Sequence, residues 1–325
     1  MKNKSLKIIR TASGCLSAMG LIRELQKKDV YVIGLDCDPY SAGLYLCEKG
    51  FVIPRGDDPH FIDEVLKICK TEKPDAIISG PEEEILRFSK NKDLFKDIDA
   101  KIICPDYKSV KICFDKLKTA AFFKKNDIPT LEIYKKNSSV VFPCIVKPRK
   151  GRGGRGIHLV NNKKQLDFLK NKNDDIILQE YVKGIEYTID VLADENGWSL
   201  SVVPRARLST ESGISTKGVT VDDEKIIKYS KKIVKKLKLF GPSCLQCIKD
   251  ERGDIKFLEI NPRFGGGSIL SMKADPSVIS NLLKIIKGEK PSISTGFKEG
   301  LVMLRYYDEF LIAKNKIKNI KRENL

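Results

Sequence analysis

Glu259 and Asn261 stand two residues apart in the stretch FLEINPRFGGGS, which has strand character. On a strand, side chains at i and i+2 share a face. A carboxylate beside an amide oxygen suits Mg2+, a hard cation that takes few protein ligands and keeps substrate phosphate oxygens as the rest. Arg263 is read as next on the same face, where a planar guanidinium fork suits a transferring phosphoryl group. Gln246 lies on the preceding strand pattern. Across an antiparallel hairpin its amide oxygen would complete the cation site.

A second stretch, KPRKGRGGRG at 147–156, spells G-x-G-x-x-G with Gly151, Gly153 and Gly156. A dinucleotide fingerprint needs a helix directly after the glycines, so that pyrophosphate meets the helix N-terminus. Here strand-like IHLV follows instead, and no G-x-x-x-x-G-K-[ST] is present. An arginine–glycine tract for RNA would be longer and repeated. What remains is strand, glycine loop, strand. Glycines 151, 153, 154 and 156 let backbone N–H groups approach phosphate oxygens with no Cβ in the way. Lys147 ends the strand before the loop, where a buried ammonium is costly unless it meets an anion. A flexible hairpin with solvated Arg152 and Arg155 is the plainer alternative.

LQEYVKGIEYTIDV puts Glu180 at the end of one strand and Glu186 at the start of the next. Tyr181 and Val182 between them offer backbone groups and apolar contact suited to adenine, and Glu186 suits ribose hydroxyls. Two surface glutamates flanking a turn would read the same way.

The elements that position these residues follow a simple order. Strand patterns at 6–10, 30–35, 75–79 and 101–104 alternate with helical ones, which predicts a parallel α/β unit over 1–110. Its ligand edge is the carboxyl end of its strands: Thr11 to Ser13, Asp36, Asp38 and SGPEEE at 79–84. Glu82, Glu83 and Glu84 read equally as the acidic first turn of a helix. Beyond it, the pattern predicts a helix at 114–126, strands at 131–134, 143–147 and 176–180, and strand pairs at 185–192/198–204 and 243–249/255–261. KKIVKKLK at 231–238 has the spacing of an amphipathic helix.

The 325 residues suffice for two or three cores. No apolar run is long enough to span a membrane, and the N-terminus lacks a signal-peptide h-region, which predicts a cytoplasmic protein without a membrane partner. Nine cysteines, an odd number, predict reduced thiols, with Cys244 and Cys247 read as strand cysteines rather than zinc ligands. The net charge of +17 is spread over scattered lysines, which disfavours nucleic acid as the partner.

Four motifs in sequence are DKLKTAAFFKKNDIP, IVKPRKGRGGRGI, LQEYVKGIEYTID and LQCIKDERGDIKFLEINPR. In this order and spacing the chain resembles the ATP-grasp superfamily over roughly residues 1–300. It is closest to the group with the carbamoyl-phosphate synthase halves, biotin carboxylase, D-alanine–D-alanine ligase and the lysine ligase of pyrrolysine biosynthesis. The resemblance implies an N-terminal Rossmann-like parallel α/β domain (1–110). A two-subdomain ATP-grasp α+β fold (111–182 with the flap, 183–310 with the metal site) and a basic tail (311–325) would follow. It implies ATP and one or two Mg2+ ions, with Mn2+ as a substitute. Lys116 and Lys147 would contact phosphate, residues 151–156 would form the flap, and Glu180, Tyr181 and Val182 the adenine hinge. Glu186 would hold ribose, and Glu259 and Asn261 the metal. Glutamine at 246, where many relatives have an acid, leaves a second metal open.

The implied chemistry is ligation of a small carboxylate to an amine through an acylphosphate, with Lys147, Arg205 and Arg263 stabilising charge. Arg205, Arg207, Gly265 and Gly266 fall where relatives seat their substrates, although two solvated arginines would look alike. The alternatives are a domain phosphorylating bicarbonate or carbamate, and an ATP-responsive basic binding module. Dimers are common among such relatives, and the oligomeric state stays open.

Overall fold

The computed structural model describes residues 5–135, 139–151, 154–170 and 175–317. Strands β1 (Lys7–Thr11), β2 (Tyr31–Asp36), β3 (Lys49–Val52), β4 (Ala76–Ile78) and β5 (Lys101–Ile102) form a parallel sheet in the order β3-β2-β1-β4-β5. Helices α1 (Leu16–Gln26), α2 (Gly43–Leu46), α3 (Phe61–Glu72), α4 (Glu82–Lys90) and α5 (Tyr107–Cys113) connect and cover it. Alternation of β-branched strands with amphipathic helices dictates this arrangement, because each helix must bury one apolar stripe on the sheet.

The strand order reverses between β1 and β4, where a doubly wound sheet opens its crevice. In this chain Glu84 turns into that crevice. It accepts hydrogen bonds from the Thr11 hydroxyl and from Ser79 Oγ at 2.9 Å. Burial pushes its carboxyl up to about 7, against the two hydroxyls and Arg10. Of the acidic run at the ligand edge, one member is thus a buried internal partner.

Helix α6 (Lys116–Lys125) leads to an antiparallel sheet of β6 (Ile133–Tyr134), β7 (Cys144–Pro148), β8 (His158–Val160) and β9 (Ile176–Glu180), ordered β6-β9-β7-β8. Helix α7 (Lys163–Lys170) packs on it through Leu166.

The largest sheet holds β10 (Gly184–Ala193), β11 (Ser199–Glu211), β12 (Ile214–Thr220), β13 (Gly241–Asp250), β14 (Ile255–Asn261) and β15 (Val302–Leu304), ordered β14-β13-β10-β11-β12-β15. Helices α8 (Glu224–Leu237), α9 (Ser268–Ala274) and α10 (Ser277–Lys287) accompany it. The sheet is two-faced. Tyr187, Ile189, Val191, Leu245 and Cys247 bury one face with Ile226, Ile233, Val234 and Leu237 of α8. The amphipathic reading of 231–238 holds for that reason. The opposite face carries Glu186, Thr188, Asp190, Arg205, Arg207, Gln246 and Glu259, set by the period of two.

The first sheet docks on the third through one core. Leu21, Ile22 and Leu25 of α1 meet Met272, Leu282 and Ile285 of α9 and α10, with Phe264 among them. All nine cysteines are free thiols, and Cys244 and Cys247, three apart on β13, point to opposite faces. Among the described residues no helix is long and apolar enough to cross a membrane.

Candidate active site

Glu259 stands opposite Gln246, Gln246 opposite Thr188, and Thr188 opposite Arg205. This row crosses four strands of the polar face. With strands about 4.8 Å apart, the Arg205 backbone lies about 14 Å from Glu259. The antiparallel hairpin expected to bring Gln246 to Glu259 is present.

A register slip makes this possible. Gln246 pairs with Glu259 but Cys247 pairs with Phe257, so Leu258 is an extra residue. A bulge of this kind reverses the side-chain alternation. Phe257 and Ile260 enter the apolar core, while Glu259 and Asn261 keep the polar face.

Among the described residues no three His, Cys, Asp or Glu side chains gather as a metal site. Glu259 is therefore one carboxylate between two amides, a set that fits Mg2+ only with ligand oxygens added. Asn261 Nδ2 donates to Glu259 Oε1 at 2.9 Å. A half-turn of that amide brings its oxygen to the carboxylate side, and amide orientation is readily exchanged. The donor set fits the ion.

Lys147 sits on β7 with 7% of its surface exposed. Burial pulls its ammonium down to about 8; Lys116 adds to this, and Glu259 and Glu186 oppose it. Among the described residues it has neither hydrogen bond nor ion pair. Lys116 opens α6, and its Nζ donates to the Gly151 carbonyl at 2.9 Å. Asp115 caps the same helix through Leu117 and Lys118 N–H and clasps Arg149 at 3.1 and 2.7 Å. It thereby ties the base of the glycine loop to α6. The loop joins antiparallel β7 and β8, as its flanks predict. Gly151, Gly154 and Gly156 all have positive φ, and nothing lies within 4 Å of a Cβ at 151 or 154. Backbone conformation, not space, requires glycine there. Gly153 and Arg152 lie outside the described residues.

Glu180 ends β9 and ion-pairs with Lys256 of β14, so the hinge is bound across two sheets. Tyr181 and Val182 form the link to β10. Glu186 receives Arg207 Nη1 at 2.7 Å.

Three placements differ from the sequence reading. Strand β14 ends at Asn261, so Arg263 is in a bend rather than on the strand face. Its guanidinium donates to the Phe264 carbonyl at 3.1 Å and lies 3.4 Å from Asn261 Oδ1. Arg205 and Arg207 lie within β11, which runs on past the end expected at 204. Arg205 is 1% exposed, with Nε donating to Asp190 Oδ2 at 2.7 Å, and Ser271 Oγ donates to the same oxygen at 2.6 Å. A buried charge requires such a partner. Arg207 is committed to Glu186 and to the Gly213 carbonyl at 2.8 Å.

Of the glycines after Arg263, Gly265 and Gly267 lie against the Asp190–Arg205 pair. A Cβ on Gly265 would sit 2.8 Å from Cys244 Sγ and 3.2 Å from Asp190 Oδ1; one on Gly267 would sit 2.7 Å from Arg205 Nη1. On Gly266 it would meet Ile214 at 2.7 Å. Asp190, Asp115 and Lys256 escaped the sequence reading. Asp190 carried a signal, being four residues from Glu186 on one strand face, and Asp115 another, as an Asp directly before a helix.

Residues 113–267 match the ATP-grasp domain family, and residues 16–103 match the PylC-like N-terminal domain family. Over 295 residues the chain is 25% identical to a formate-dependent phosphoribosylglycinamide formyltransferase of Ignicoccus hospitalis, covering 81% of this chain and 70% of that one. Over 255 residues it is 25% identical to a carbamoyl phosphate synthase large chain of Clostridium botulinum, covering 72% of this chain but only 24% of the synthase. The fold of N5-carboxyaminoimidazole synthetase from Staphylococcus aureus, solved with ADP, superposes with a TM-score of 0.72 at 18% identity, covering 91% and 82% of the two chains.

Residues 113–267 thus carry an ATP-grasp domain, a family whose members are ADP-forming ligases. More particularly, this ATP-grasp domain follows an N-terminal domain of the PylC-like kind.

Proposed function

We propose that the chain joins a small carboxylate to an amine through an acylphosphate, turning ATP into ADP and phosphate. Lys147 is the observation that carries the reading: a buried ammonium, without a hydrogen-bond or ion-pair partner among the described residues, within electrostatic reach of Lys116, Glu186 and Glu259. A triphosphate with its cation suits that arrangement in both charge and place. Lys147, Lys116 and the N–H groups of loop 151–156 would hold phosphate oxygens. Glu180, Tyr181 and Val182 would take the adenine, and Glu186 the ribose. Glu259, Asn261 and Gln246 would hold Mg2+, which supplies charge neutralisation at phosphate oxygens.

The substrate carboxylate oxygen attacks the γ-phosphorus and ADP leaves. The amine nitrogen then attacks the acyl carbon, and phosphate and a proton leave. The protein's part is placement and charge stabilisation, with Arg263 beside the transferring group. Gly265, over Asp190, and Gly266, against Ile214, would floor the carboxylate pocket. Closure of the glycine loop would keep water from the acylphosphate. Incubation with MgATP and pools of carboxylates and amines, read by mass spectrometry, tests the proposal. A product gaining the mass of both partners less water is expected. ADP release without any condensed product would refute it.

The 25% identity to the carbamoyl phosphate synthase large chain, together with Gln246 in the cation set, favours a second reading: phosphorylation of bicarbonate or carbamate. ADP release stimulated by bicarbonate alone would select it.

A further inference from the structure

Arg207 is 8% exposed and fixed at both ends of its fork. Nη1 donates to Glu186 Oε2 at 2.7 Å, and Nη2 to the Gly213 carbonyl at 2.8 Å. Its partner differs. The Glu186 side chain is 48% exposed, and among the described residues its second oxygen, Oε1, accepts no hydrogen bond. One oxygen is thus clamped and the other presented.

The clamp is built from strand geometry. Tyr187 pairs with Ala206, so Glu186 and Arg207 are cross-strand neighbours on the polar face. The far anchor is a tight turn between Glu211 and Ile214, with Ser212 and Gly213 both at positive φ. Two such residues form the hairpin turn whose twist matches its strands. Strand β11 slips register beside Arg207, between Arg207 and Ser209.

We infer that Arg207 is a positioning residue for ribose recognition: it orients the Glu186 carboxylate so that Oε1 meets a ribose hydroxyl. This rests on the reading of Glu186 as the ribose ligand. An unclamped glutamate would have to be ordered as the nucleotide binds, which lowers affinity. A rigid guanidinium fork spans two acceptors; a lysine ammonium is a point charge on a flexible stem and does not hold both in one geometry. The Glu186 charge also lies within reach of Lys147, so its direction matters to two parts of the nucleotide. Ile214, next to the anchoring turn, lies against Gly266, so the same hairpin abuts the loop that follows the cation ligands.

The test is calorimetric binding of ADP and 3′-deoxy-ADP, each with Mg2+, to wild type, Arg207→Met, Arg207→Lys, Glu186→Gln and the Glu186→Gln/Arg207→Met pair. Thermal unfolding checks that each variant folds. Wild type should prefer ADP by about tenfold, the worth of one charge-assisted hydrogen bond. Arg207→Met should bring the preference to within about twofold while changing the 3′-deoxy affinity little. Arg207→Lys should follow it, and the double variant should lose no more than Glu186→Gln alone. Equal weakening of both nucleotides by Arg207→Met would show a purely structural arginine and overturn the inference. So would an unchanged preference in either Arg207 variant. If wild type binds both nucleotides alike, the ribose role of Glu186 falls, and if it binds neither, the nucleotide site itself falls.

Discussion

If Lys147 meets the nucleotide as proposed, binding should weaken as pH rises above 8. Its ammonium is pulled from 10.5 to about 8, chiefly by burial. A displacement of about 2.5 units corresponds to about 3 kcal/mol between the two protonation states. The folded pKa lies below the unfolded one, so the folded chain binds fewer protons between them. The cost of the buried charge is fully present below pH 8 and is relieved as pH rises from 8 towards 10.5. A triphosphate beside Lys147 favours the charged form and returns the pKa upward. Nucleotide affinity should therefore fall by about tenfold per pH unit above 8, with proton uptake on binding near pH 8.5. Calorimetry in buffers of different ionisation enthalpy reads that proton directly. Lys147→Met should abolish the uptake and weaken binding, yet raise the melting temperature of the nucleotide-free protein at pH 7. Binding without proton uptake at pH 8.5, or a Lys147→Met variant with wild-type affinity, would rule out Lys147 as a phosphate ligand.

Further substitutions probe the surroundings. Gly267→Ala places a methyl 2.7 Å from the Arg205 guanidinium and should cost about 1–3 kcal/mol in chemical denaturation by overpacking. Asp190→Asn leaves Arg205 charged and buried without its counterion and should cost about 3–5 kcal/mol; Asp190→Asn with Arg205→Met should recover part of that. Glu84 has a raised folded pKa of about 7, so the folded chain binds more protons between 4.5 and 7. Stability should decline as pH rises through that window, and Glu84→Gln should flatten the decline in urea titrations.

The parallel sheet, the α8 stripe, the β7–β8 hairpin and the β13–β14 pair were legible because each rests on local periodicity or on a turn. Periodicity speaks only to one element at a time, so it left out what depends on two. The bulge at Leu258 is set by pairing with β13, and FLEIN alone, read with strict alternation, would put Phe257 and Glu259 on one face. The chain turns at Pro262, which takes Arg263 off the strand. Arg205 and Arg207 were visible as arginines two apart, but their partners, Asp190 and Glu186, lie on a neighbouring strand. Glu84 read as one of three acidic residues in a helix turn, and only the position of β1 beside β4 turns it inward. The glycine stretch shows the converse. Its letters match a dinucleotide fingerprint, and the strand after it, visible in sequence, was enough to set that match aside.

The proposed function requires Glu259 to hold the cation that accompanies ATP. The direct measurement is MgATP-dependent ADP release by wild type and Glu259→Gln, with nucleotide binding and thermal unfolding followed in parallel. The variant should fold, with turnover lowered at least about a hundredfold, since the charge that seats the cation is gone. Wild-type turnover in Glu259→Gln would contradict it.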